Sequence, residues 1–134
     1  MLGPIMSEVG QVLAEIADGD PEGVFLYVEF GPGWIGPSVF KAEGSAVRNF
    51  ECNRELYRLL GDAWHTAPEG KRWSVLEYGI KDGKFSVAFR YPEEVDVESA
   101  FDASRRRAAL LAHYGDKPVI YPPPPEGAVE FKPN

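Results

Sequence analysis

One cysteine, Cys52, occurs in 134 residues. A single thiol excludes an intramolecular disulfide framework and suits a reducing compartment. No lysine or arginine precedes Lys41, so the opening residues Met1 to Gln11 lack the basic flank of a signal peptide. No apolar run approaches the roughly 20 residues needed to span a bilayer. No G-x-G-x-x-G or Walker A spacing is present, which removes the usual sequence argument for a nucleotide site. Together these absences lead us to expect a cytoplasmic protein without a membrane span or a cofactor.

The chain does hold enough material for one domain. The apolar fraction is 44% and the charged fraction 26%, ordinary values for a globular protein. A chain of this length buries roughly two thirds of its unfolded surface and needs no metal to fold. The net charge is −7. It is uneven: residues 1–70 carry 11 acids and 4 bases, whereas 71–134 carry 10 of each. Glu15, Asp18, Asp20 and Glu22 belong to the first acid-only stretch, and Glu93, Glu94, Asp96 and Glu98 to a second. Such a field repels nucleic acid and anionic lipid and speeds encounter with a basic partner. It also serves solubility alone.

Residues 71–91 show the clearest structural pattern. They read as two strands joined by a two-residue turn at Asp82-Gly83, a pair suited to the positive φ angles of a type I′ hairpin. The turn sets Ile80 opposite Phe85, Tyr78 opposite Val87, Leu76 opposite Phe89 and Ser74 opposite Tyr91, with one face almost wholly apolar. A slip of one residue would turn that face to water. Trp73 then falls on the opposite face.

Elsewhere, Val9, Val12, Leu13, Ile16 and Ala17 predict a helix over 4–17, weakened at Gly10 by about 1 kcal/mol relative to alanine. Residues 23–30 read as a strand apolar on both faces, hence central or doubly covered. A second strand covers 35–41. Pro37 lacks a donor and makes this strand an edge or an interrupted one. Residues 42–50 give no clear pattern. Leu56, Leu59, Leu60, Ala63 and Trp64 predict a helix over 52–65. A third helix spans about 99–114, with Ser99 and Asp102 as a capping box and Gly115 just past its end. Pro122 to Pro125 favour polyproline II. The expected product is an α+β domain over 1–117, with a proline-rich tail over 118–134. Its expected sheet has about four antiparallel strands, its helices pack mainly on one face, and the order is α-β-β-α-β-β-α.

The candidates for chemistry are sparse. On a helix over 52–65, Cys52 and His65 lie about 20 Å apart, too far for a thiolate–imidazole pair. His65 and His113 lack the local partners of a zinc site, and His113 falls in a last helical turn where positive charge is favoured. Arg105-Arg106-Arg107 points around a helix rather than forming a flat phosphate patch, and at least one arginine is expected to pair with the preceding acids. Trp64 reads as core. Trp34, between glycines and prolines, reads either as an interface anchor or as a cap on the core edge. No catalytic or metal residue is assigned.

The strand Val24-Phe25-Leu26-Tyr27-Val28-Glu29, Trp73, the turn Asp82-Gly83-Lys84-Phe85, then Phe89-Arg90-Tyr91 and an arginine-bearing helix resemble the YezG-like immunity proteins. These are bacterial α+β antitoxins, and the likeness spans about 5–115. It implies a non-enzymatic protein that binds a secreted toxin domain, often a nuclease, and protects the producing cell. A basic toxin domain is then the implied partner, and Glu15, Asp18, Asp20, Glu22, Trp34, Glu93, Glu94, Asp96 and Glu98 are the candidate contacts. The alternative is a binding module that forms a homodimer through the strand at 35–41.

Overall fold

The computed structural model describes residues 2–31, 33–68, 70–91 and 103–121. Three helices and six strands follow one another: α1 (Leu2–Ile16), β1 (Val24–Gly31), β2 (Trp34–Glu43), β3 (Ala46–Phe50), α2 (Arg54–Thr66), β4 (Val75–Lys81), β5 (Lys84–Arg90), α3 (Ala103–Tyr114) and β6 (Val119–Ile120). The strands form one sheet in the order β5-β4-β1-β2-β3-β6. Every pairing is antiparallel except β3 with β6.

β1 runs through the middle, and its residues Val24 to Phe30 are all buried. Its two apolar faces serve two cores. Val24, Leu26, Val28 and Phe30 pack with Met6, Val9 and Leu13 of α1 and Leu56, Leu59 and Leu60 of α2. Phe25 and Tyr27 pack with Phe40, Val47, Val75 and Leu110 of α3. Helices therefore lie on both faces, two on one and α3 on the other. Placing them mainly on one face understates α3, whose single described buried side chain, Leu110, leaves little periodic signal.

The expected sheet was too small by two strands. Gly44, at φ 62°, and Ser45 close a two-residue turn that pairs Glu43 with Ala46 and sends the chain back as β3. A Gly-Ser pair between apolar stretches is a recognised hairpin signal, here masked by the charges around it. β6 adds Val119 and Ile120 alongside Val47 and Arg48. The tail from 122 lies outside the described residues, as do Ser99 and Asp102.

β2 is interior rather than an edge, and among the described residues the sheet's long outer strand is β5, not the strand at 35–41. Pro37 survives there for a geometric reason. The Phe30 amide donates to Ser74 on the β4 side, so the alternating pairs Phe30–Ile35 and Val28–Pro37 exchange no ladder bonds. The backbone of Pro37 thus faces away from β1, and β3 ends at Phe50 opposite Val39, short of it.

The hairpin of β4 and β5 has the predicted register over Lys81–Lys84 to Val75–Arg90. Asp82 and Gly83 both have positive φ, 55° and 73°. Trp73 departs from expectation. It is buried in the α1/α2 core, its ring 4.5 Å from that of Phe89. Ser74 donates to the carbonyl of Arg90, the register partner of Val75, so two residues of one strand oppose one of the other. Such a bulge reverses the alternation and swings Trp73 inward.

Candidate functional site

Of the four described acids read as partner contacts, three are engaged within the fold. Asp18 (φ 60°) and Asp20 stand in the turn after α1. Asp20 lies 3.3 Å from Lys41 and Asp18 3.5 Å from Arg48, cations supplied by β2 and β3. The Glu22 amide and Lys41 hold the Asp20 carboxyl below its usual range. Glu22 braces the hairpin turn, because its two carboxylate oxygens accept from the amides of Asp82 (2.6 Å) and Gly83 (3.2 Å). Glu15 is exposed on α1. Trp34 opens β2 half-buried, with its indole laid so close over Gly31 that a methyl group there would collide with the ring. Glu93, Glu94, Asp96 and Glu98 lie outside the described residues.

The charge balance shows where the excess resides. Thirteen acids and thirteen bases fall on described residues, so the whole net charge of −7 belongs to Glu69, the stretch 92–102 and the stretch 122–134. The described body is neutral but polarised: its residues in 2–68 hold ten acids and four bases, those in 70–91 and 103–121 three acids and nine bases.

Sequence reading passed over Glu29. It is buried beneath α3, and Arg105 Nη2 donates to its Oε1 at 2.5 Å. Burial and the Glu29 charge push the Tyr27 hydroxyl up to about 12. Arg106 reaches Ser38 Oγ at 3.4 Å, and Arg90 pairs with Glu77 at 3.1 Å. Tyr114 Oη donates toward the carbonyls of Gly23 (2.8 Å) and Phe40 (3.1 Å). This seam fastens α3 to the sheet. A lone acid on the otherwise apolar Phe25, Tyr27, Glu29 face was the available signal, because a buried charge requires a partner. The expected pairing of an arginine with the acids of 93–102 lies outside the described residues, and Arg105 pairs with Glu29.

Cys52 precedes α2, which Asn53 caps at its start, and His65 stands in the last turn of that thirteen-residue helix, so the two are at opposite ends of it. His65 Nδ1 lies 2.7 Å from the Gly61 carbonyl oxygen. Cys52 contacts the Pro37 carbonyl, and burial pushes its thiol up to about 11. Two units above an ordinary thiol leaves about 100-fold less thiolate at neutral pH. Iodoacetamide should therefore alkylate Cys52 about 100-fold more slowly in the folded protein than in urea, measured by intact mass. Equal rates would show an accessible, ordinary thiol.

His113 stacks on Phe25 with ring centroids 4.3 Å apart. Burial pushes its imidazole below the ordinary value, against the helix-end preference for positive charge. A groove of about 430 Å³ between α1 and α2 gathers Glu8, Asp62 and His65. Asp62 is committed to Arg58 at 3.1 Å, and all three side chains are exposed, so the groove does not exclude water. Among the described residues no group of three or more His, Cys, Asp or Glu could hold a metal ion. Among the described residues no helix is long and apolar enough to cross a membrane. No protein-family model matches the chain, and no curated protein matches it either.

Proposed function

We propose that the chain is an immunity protein that neutralises a toxin domain, most simply a basic nuclease domain, by direct binding and without covalent chemistry. The carrying observation is the placement of charge. A neutral body bears five acids and no base over 92–102, between β5 and α3. Such a run raises the encounter rate with a cationic cleft that grips phosphates, and bound there it blocks substrate. The likeness of the hairpin and central strand to the YezG-like proteins supports the same reading.

This reading shifts the weight among the candidate contacts. Asp18, Asp20 and Glu22 already serve turns and ion pairs, whereas Glu93, Glu94, Asp96 and Glu98 carry the excess. The test searches the neighbouring reading frames for a large secreted protein that ends in a small basic domain and pairs that domain with this protein. Glu93→Lys, Glu94→Lys, Asp96→Lys and Glu98→Lys together should slow association by about 10-fold or more at low salt. The difference should shrink as salt is raised. Unchanged association rates, or failure of the two proteins to co-purify, would overturn the proposal.

A further inference from the structure

We propose that β5 is a docking edge that receives an extended, acidic segment of a partner chain as an additional strand. This goes beyond the immunity reading and does not depend on the partner being a toxin. Among the described residues β5 pairs only with β4. It runs seven residues with no proline or glycine, and the bulge of the hairpin lies on the β4 side. The usual devices that blunt an edge are thus missing along its centre.

The register determines which backbone groups are free. A two-residue turn makes Lys81 and Lys84 a hydrogen-bonded pair, so Lys84, Ser86, Ala88 and Arg90 turn their amides and carbonyls to β4. Phe85, Val87 and Phe89 turn theirs outward. The side chains of these same three residues lie on the α1/α2 face, where cover runs out. Tyr78 is fully buried and donates to the Met6 carbonyl of α1, yet Phe85, stacked 5.2 Å from it, is 44% exposed. A groove of about 330 Å³ runs between Ser7, Gln11 and Ala14 of α1 and Phe85. A strand added along β5 would satisfy three outward amides and lay alternate apolar side chains across this strip.

Charge selects the occupant. Residues 71–91 hold five bases and two acids in a chain of net charge −7. Lys81 and Lys84 flank one end of the edge, and Arg90, which also pairs with Glu77, closes the other. An incoming strand with acids at its ends complements both. A second copy does so poorly: pairing two copies about Val87 sets Lys84 of each against Arg90 of the other, like charges directly opposite.

The experiment uses the isotope-labelled full chain and a synthetic peptide in which glutamate alternates with valine and phenylalanine. Amide hydrogen exchange at Phe85, Val87 and Phe89 should slow by about 10-fold or more with this peptide. It should not slow with the same peptide carrying lysine for glutamate. Val87→Pro, which removes an outward amide that β4 does not use, should abolish the effect, and Val87→Ala should keep it. If Val87→Pro fails to fold, the exchange pattern of the parent chain decides. No slowing at these amides, or equal slowing by the lysine peptide, overturns the proposal. So does prior protection in the free protein: with a dimeric mass it assigns the edge to a second copy, and with a monomeric mass to this chain's own acidic segment.

Discussion

Replacing Arg105 with methionine should destabilise the protein by about 2–3 kcal/mol, lowering its melting temperature by roughly 10 °C. The side chain of Glu29 is only 7% exposed, and the Arg105 guanidinium lies against it. Methionine keeps most of the volume but leaves a carboxylate under α3 without this cation. Loss of one partner from a fully buried pair costs about 3–5 kcal/mol; the lower figure reflects the 21% exposure of Arg105. The double variant Glu29→Met with Arg105→Met should recover most of the loss, since apolar replacement of a buried pair is often neutral. Denaturant unfolding of both variants and of Glu29→Met provides the cycle. A double variant as unstable as Arg105→Met would show that the loss lies in packing of the arginine stem rather than in the stranded charge.

Gly10→Ala should lower stability by about 1–2 kcal/mol, although alanine is the better helix former by about 1 kcal/mol. A methyl group at position 10 would sit 2.8 Å from the Tyr78 hydroxyl oxygen. That ring cannot swing away freely, because Tyr78 is fully buried and its hydroxyl is bound to the Met6 carbonyl at 2.8 Å. The sign should reverse once the hydroxyl is gone. In a Tyr78→Phe background the nearest ring atom stands at 3.9 Å, an ordinary contact, and Gly10→Ala should stabilise by up to about 1 kcal/mol. Urea midpoints of the four proteins test both signs. A Gly10→Ala variant more stable than the parent would mean that α1 and β4 separate at little cost.

These two residues also show the reach of the sequence. Gly10 reads locally as a weakness in a helix, and only its meeting with Tyr78, 68 positions later, makes it a fitted position. Glu29 reads locally as one polar residue on a strand, and only α3, 76 positions away, supplies its cation. Trp73 follows strict alternation to the wrong face, because one extra residue in the ladder at Ser74 does not announce itself in the side chains. The hairpin register was legible because Asp82-Gly83 and the apolar row demand the same pairing. β6, two residues long, offers too few side chains for any periodicity to be read.

The acidic contacts follow the same division. Counting acids before Lys41 locates a negative stretch, but Lys41 and Arg48 return to Asp20 and Asp18 through the β2–β3 hairpin and offset it. By itself the sequence determined the α+β class, α1, α2, the central strand and the register of β4 with β5. Each of these follows from periodicity and turn chemistry within a few neighbouring residues. The tertiary structure alone decided that β2 is interior, that β5 is the outermost long strand among the described residues, that α3 takes the far face, and that Asp18, Asp20 and Glu22 are bound into turns and ion pairs. Those outcomes depend on which distant groups meet, and a pairwise meeting leaves no mark in either local pattern.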